Sequence, residues 1–120
     1  MKNLNTILLY VADLQASAEF YNQLGFTVSG EDRSMIRATL GSITLTLLDQ
    51  REAFFQQDTP REKGAGLFLE IETDDVNGCY EELIGKGLKP SGEPHDWPWG
   101  NREFAVKDPD GYRIVFWQKI

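Results

Sequence analysis

Apolar residues along the chain fall into short strand-like runs and two helical stripes, in an order that occurs twice. Thr6 to Val11, rich in Ile, Leu, Tyr and Val, predicts a β-strand. Asp13 then occupies a helix N-cap position. Leu14, Ala18, Phe20, Tyr21 and Leu24 follow at helical spacing until Gly25 stops the helix. Three further strand-like runs come next: Phe26 to Ser29, Met35 to Leu40 and Ile43 to Leu48. The last alternates Ile43, Leu45 and Leu47 against Thr44 and Thr46. From Asp49 to Ala65 the chain turns polar and charge-rich around Phe54 and Phe55, which reads as a long connection or a short helix.

The same grammar then returns. Leu67 to Thr73 predicts a strand and Asp75 a second N-cap. Val76, Cys79, Tyr80, Leu83 and Ile84 form an apolar stripe, and Gly87 is the stop. The offset is constant, since Asp13 and Gly25 reappear as Asp75 and Gly87, and Leu14, Tyr21 and Phe26 as Val76, Leu83 and Leu88. Arg102 to Val106 and Tyr112 to Gln118 are strand-like and flank Asp108-Pro109-Asp110-Gly111, where proline and glycine suit a tight turn. The chain therefore reads as a duplicated module of strand, helix and about three strands. Two copies are too few for a solenoid.

Composition narrows the function classes. The 120 residues are expected to form a single domain, with modules at about 4–48 and 67–118 joined by a linker at 49–66. A net charge of −7 would repel nucleic acid and anionic lipid, so neither nucleic acid nor membrane is an expected partner. The same charge favours cationic ligands. A lone cysteine, Cys79, excludes an internal disulfide and fits a reducing compartment. The start Met1-Lys2-Asn3-Leu4-Asn5 has no signal-peptide core, and no apolar run is long enough to span a bilayer, so the expected location is cytoplasmic.

An ordered set of short motifs carries a family resemblance. They are Leu9-Tyr10-Val11-Ala12-Asp13-Leu14, Glu19-Phe20-Tyr21, Leu24-Gly25-Phe26, Glu70-Ile71-Glu72-Thr73-Asp74-Asp75-Val76, Trp99-Gly100-Asn101-Arg102-Glu103-Phe104 and Asp108-Pro109-Asp110-Gly111-Tyr112. In order and spacing they resemble the vicinal oxygen chelate superfamily of glyoxalases, extradiol dioxygenases, and fosfomycin- and bleomycin-resistance proteins. The resemblance implies an α+β fold of two βαβββ modules whose curved sheets surround a cavity, commonly as a homodimer. It also implies where metal-dependent members would hold their ion: Thr6, Thr44 or Thr46, Phe68 and Val115. Hydroxyls are poor donors and Phe and Val have none, and the chain has one histidine in all. No metal and no cofactor are therefore expected. The stretch from Pro98 to Ala105 is similar to that of bleomycin-resistance proteins, the metal-free branch.

Within that frame, strand parity places Thr6, Leu8 and Tyr10, Thr44, Thr46 and Leu48, Phe68, Glu70 and Glu72, and Arg113, Val115 and Trp117 on cavity-lining faces. Each of these residues has an alternative role as core filling. The candidate ligand-binding residues are Tyr10, Thr44, Thr46, Phe68, Glu70, Glu72, Trp97, Trp99, Arg102, Val115 and Trp117. Trp97 and Trp99 stand in a loop, where they either stack on a planar or cationic ligand or pin the loop down. Glu70 and Glu72 either meet a ligand cation or pair with Arg102 or Arg113. His95 reads as a solvated loop residue, and Cys79 as packing on a helix. No catalytic residue is assigned, because one histidine without a serine elbow gives a hydrolase triad no footing. Gly64-Ala65-Gly66 precedes a strand and so is no dinucleotide loop. Asp108 and Asp110 lack the glutamate a calcium loop requires, since Lys119 stands there.

The expected function is metal-free binding of a small hydrophobic or cationic aromatic molecule, such as an antibiotic, by sequestration. One alternative is a vicinal oxygen chelate enzyme of lyase, isomerase or dioxygenase type with a non-standard or absent metal site. Another is a protein-interaction role without a ligand.

Overall fold

The computed structural model describes residues 1–30, 34–52 and 62–120. The chain divides into two compact units, Met1–Lys63 and Gly64–Ile120. Phe54 and Phe55, and most of the Asp58 to Lys63 charge run, lie outside the described residues.

The first unit runs β1 (Thr6–Val11), α1 (Leu14–Gln23), β2 (Thr27–Ser29), β3 (Met35–Leu40) and β4 (Ile43–Asp49). Its sheet has the order β1-β4-β3-β2, with β1 parallel to β4 and the other pairs antiparallel. A parallel pair needs a long crossover, and α1 with β2 and β3 supplies it. Asp13 caps α1 by accepting a hydrogen bond from the Ala16 amide at 3.1 Å. The helix ends where Gly25, at φ +106°, lets the Phe26 amide reach back to the Tyr21 carbonyl and the Gly25 amide to that of Asn22. Ser17, Ala18, Phe20 and Tyr21 are the buried residues of α1, and the sheet face carrying Leu9, Val11, Ile36, Ala38, Leu45 and Leu47 is buried with them. Tyr21 stands edge-on to both Phe20 and Phe26.

The second unit repeats this with β5 (Phe68–Glu72), α2 (Val76–Gly85), β6 (His95–Asp96), β7 (Asn101–Lys107) and β8 (Arg113–Lys119). The order is β5-β8-β7-β6, again with the outer strand β5 parallel to its neighbour. Asp75 caps α2 through the Gly78 amide, and the helix closes with the same pair of reverse bonds, Leu88 to Leu83 and Gly87 to Ile84. The buried face of this sheet carries Phe104, Val106, Ile114 and Phe116. Tyr80 of α2 meets Phe104 edge-on, and Phe104 stacks on Phe116 at 5.0 Å. Burying each such side chain contributes roughly 1.5–3 kcal/mol. Asp108 is buried and accepts from the Asp110 and Tyr112 amides, so its carboxylate braces the turn.

The sequence reading differs from the structure at β6. His95 belongs to a two-residue strand paired with β7, not to a free loop. Two residues around one histidine leave no periodicity to read, so only pairing reveals the strand.

Candidate functional site

Each sheet has one face against its helix and one face free of it. On β7 and β8 the helix-side residues are Phe104, Val106, Ile114 and Phe116. Glu103, Ala105, Lys107, Arg113, Val115 and Trp117 therefore point to the other side, because successive side chains alternate. On that free face of the second unit lies a cleft of about 310 Å³, whose walls include Phe68, Glu93, His95, Trp97, Glu103 and Val115.

The aromatic wall is built by a tight hairpin. Gly100 donates its amide to the Trp97 carbonyl at 3.0 Å, and the Trp97 amide bonds to the Asn101 carbonyl at 2.8 Å. Pro98 is preset for the second turn position, and Gly100, at φ +92°, takes the left-handed conformation that follows such a turn. His95, Trp97 and Trp99 consequently form a ladder of rings. His95 meets Trp97 edge-on at 4.4 Å, and Trp97 and Trp99 stack at 4.9 Å with their planes 5° apart.

Glu103 anchors this wall. It lies opposite His95 across β6–β7 and opposite Trp117 across β7–β8. One carboxylate oxygen, Oε2, accepts from the Trp99 indole N–H and from the Asn101 amide nitrogen, both at 3.3 Å. Both bonds are long, so the anion keeps most of its capacity for a further donor. Glu93 adds a second carboxylate to the cleft wall. The cleft thus joins flat aromatic surface, an apolar floor of Val115 and Phe68, and two carboxylates, which is chemistry that suits an aromatic cation.

The sequence candidates separate accordingly. Phe68, Trp97 and Val115 line the cleft; Trp99 backs Trp97, and Trp117 stands in the cross-strand row of Glu103. Glu70 and Glu72 are on the same face, opposite Val115 and Trp117, but exposed outside the cleft walls. Glu72 borders a separate polar cleft of about 480 Å³ with Asp74 and Lys119. Arg102 is on the helix side of β7, where a forked pair of bonds at 2.7 and 3.2 Å ties it to Asp96. That guanidinium holds the Asp96 carboxyl below its ordinary pKa. Tyr10, Thr44 and Thr46 belong to the free face of the first unit, Tyr10 opposite Leu48, Thr44 opposite Thr6 and Thr46 opposite Leu8. The Thr44 hydroxyl bonds that of Thr39 at 3.1 Å.

Glu93 and Glu103 are not among the binding candidates the sequence offers, although Glu103 belongs to the Trp99–Phe104 motif. The signal for Glu103 was present in the alternation of β7, which puts it on the face of Ala105. Glu93 had no such signal, because its place depends on the Ser91 amide bonding to the Ala105 carbonyl. Cys79 is half-buried on α2 with its sulfur 3.4 Å from the Thr73 hydroxyl.

The four positions equivalent to metal ligands do not fit a divalent ion. Thr6 faces Thr44 in one unit, while Phe68 and Val115 occupy neighbouring strands of the other, and together they offer only neutral hydroxyls. Among the described residues no three His, Cys, Asp or Glu side chains group closely enough to hold a metal. Nor is any helix among them long and apolar enough to cross a membrane.

Known proteins share this architecture. A glyoxalase/bleomycin resistance protein/dioxygenase from Nocardioides superposes with a TM-score of 0.83 over all of this chain and 85% of its own, at 23% identity, a likeness of fold. A bleomycin resistance protein of Geobacillus stearothermophilus is 28% identical over 93% of each chain. The uncharacterized protein YraH of Bacillus subtilis is 31% identical over 95% of this chain and 96% of its own. The sequence pattern of one family spans residues 3–116, through both βαβββ units, and by it the chain belongs to the Glyoxalase/Bleomycin resistance protein/Dioxygenase superfamily.

Proposed function

We propose that the protein binds a small aromatic cation in the cleft of its second unit and sequesters it, without metal and without converting it. The observation that carries this reading is the convergence of the His95–Trp97–Trp99 ring ladder with the Glu93 and Glu103 carboxylates over an apolar floor. A planar cation gains there by stacking and by charge, and neither contribution needs a reacting group. The likeness to a protein named for bleomycin resistance supports an antibiotic as the molecule held. The reading includes a homodimer, as the family resemblance implies, working in the cytoplasm, where a single cysteine outside any disulfide suits a reducing compartment.

The test is a thermal-shift screen of the purified protein against cationic aromatic antibiotics and against divalent metals, with and without chelator. A ligand that binds only the folded state at one hundred times its dissociation constant stabilises by about 2.7 kcal/mol, a shift of several degrees for a domain of this size. Stabilisation by an antibiotic that survives chelator, and is lost in Glu103→Gln, is expected. A shift that appears only with a metal would overturn the reading. Light scattering that gives the mass of one chain would overturn the homodimer.

A further inference from the structure

The free face of the second sheet is polarised along its strands. Register places Phe68, Arg113 and Lys107 side by side in one cross-strand row, and Glu70, Val115 and Ala105 in the next. Glu72, Trp117, Glu103 and His95 form the third. Four residue steps along the strand separate the Arg113 row from the Glu103 row, about 13 Å along the sheet. Between them Val115 and Ala105 line the cleft, and Glu70 of the same row stands exposed outside its walls. The free face therefore has the cleft carboxylates towards one end and, in the row of the Phe68 wall, two cations towards the other.

Those cations are available. Arg113 and Lys107 are directly opposite each other across β7–β8, and neither makes an ion pair among the described residues. Like charges in that relation repel, so the pair gains from an anion placed between them. The Arg113 guanidinium lies 5.2 Å from the centre of the Phe68 ring, which is itself a wall of the cleft. Arg113 thus stands against the Phe68 wall, next to the cleft and not among its lining residues. The contrast with Arg102, tied to Asp96 on the opposite face, is direct.

We infer that the cleft takes a dipolar ligand. Its aromatic body lies over Val115 and Phe68, its cationic group meets Glu103 and Glu93, and an anionic group, a carboxylate, is caught by Arg113 with Lys107. This rests on the proposed reading of the cleft as a small-molecule site and names the class of molecule it selects. A purely cationic ligand leaves the basic row unpartnered and meets its repulsion. A ligand with both charges satisfies both ends, and a planar carboxylate matches the guanidinium fork.

The experiment uses rhodamine B, a xanthylium cation with a free carboxylate, and its ethyl ester, which keeps the cation and lacks the anion. Fluorescence anisotropy of each dye is followed as the full-length protein is added. The free acid is expected to bind about tenfold more tightly than the ester, the difference one charge-assisted bond makes. Arg113→Gln and the surface variant Lys107→Gln should each shrink that acid-to-ester ratio towards one, and circular dichroism would verify their fold. Both dyes binding equally, with a ratio unmoved by either variant, would overturn the dipolar assignment while leaving the cleft a cation site. Neither dye binding would overturn the cleft reading as well. Glu103→Gln weakening both dyes in parallel is the result expected if the cleft holds the cation.

Discussion

Trp97 and Trp99 lie face to face, 4.9 Å apart, although a single proline separates them in the chain. The Trp97–Gly100 turn, closed by the Gly100 amide on the Trp97 carbonyl, reverses the chain between them and leaves both rings on one side. Trp99 is 62% exposed and forms the outer leaf, whereas Trp97 touches both His95 and Trp99 and walls the cleft. Trp99→Ala is therefore expected to cost less than about 1 kcal/mol of stability, with a several-fold loss of affinity for an aromatic cation. Trp97→Ala should lose more affinity, and the double variant less than the sum, because the two rings support one another. Calorimetric titration of the three variants checks the order. Equal affinity in wild type and Trp97→Ala would remove the aromatic wall from the site.

Gly64, at φ +86°, sits at the entrance to the second unit against the Asp108–Tyr112 turn. An added Cβ would come within 2.7 Å of the Gly111 carbonyl oxygen and 2.9 Å of the Tyr112 Cα. Backbone atoms cannot swing aside as a side chain does. Gly64→Ala is expected to destabilise by about 2 kcal/mol or more, from the left-handed conformation and the clash together. Gly25→Ala, strained in φ but with open space around it, should cost less. Urea unfolding of the two variants measures the difference.

The N-terminus of α2 has two caps of different origin. Asp75 accepts from the Gly78 amide at 2.9 Å, and Gln118, from the far end of the chain, accepts from the Val76 amide at 2.7 Å. Asp75→Ala and Gln118→Ala should each cost about 1 kcal/mol. Hydrogen exchange at the Gly78 and Val76 amides would rise selectively, the first in one variant and the second in the other.

Asp49 at the end of β4 sets an acid limit. The Arg51 side chain bonds it at 2.7 and 3.1 Å and the Arg51 amide at 2.9 Å, which holds the carboxyl below its ordinary value of 3.8. The unfolded chain therefore binds the proton more readily. The stabilisation is fully present above the ordinary value and is lost as the pH falls through the lower folded one. Arg51 is largely exposed, so the effect is partly screened by salt. The slope of melting temperature against pH should be shallower for Asp49→Asn than for wild type below about pH 4. Identical slopes would dismiss the pair as a pH-dependent element.

Much of the fold was legible because it rests on short-range chemistry. Asp13 and Asp75 announced both helices, since an N-cap carboxylate satisfies amides only three residues on. Gly25 and Gly87 announced both stops, since positive φ is cheapest without a Cβ. The alternation of Ile43 to Leu48 announced which sides of β4 differ. The site was less legible. The candidates Trp97, Phe68 and Val115 line one cleft, whereas the carboxylates on its walls are those of Glu93 and Glu103 and not those of Glu70 and Glu72. Arg102 is a candidate in the sequence as a partner for Glu70 or Glu72, and strand parity turns it to the helix side, where it pairs with Asp96.

The sequence by itself determined the two helices, the longer strands, their duplication and the lack of charged or imidazole groups at Thr6, Thr44, Phe68 and Val115, because each depends on residue type and near neighbours. Only the tertiary structure decided the register of β6, β7 and β8. That register puts Glu103 between His95 and Trp117 and brings Arg113 beside Lys107 and Phe68. Its physical basis is non-local. Hydrogen-bonded pairing selects which residues stand opposite, and a shift of one residue exchanges the two faces.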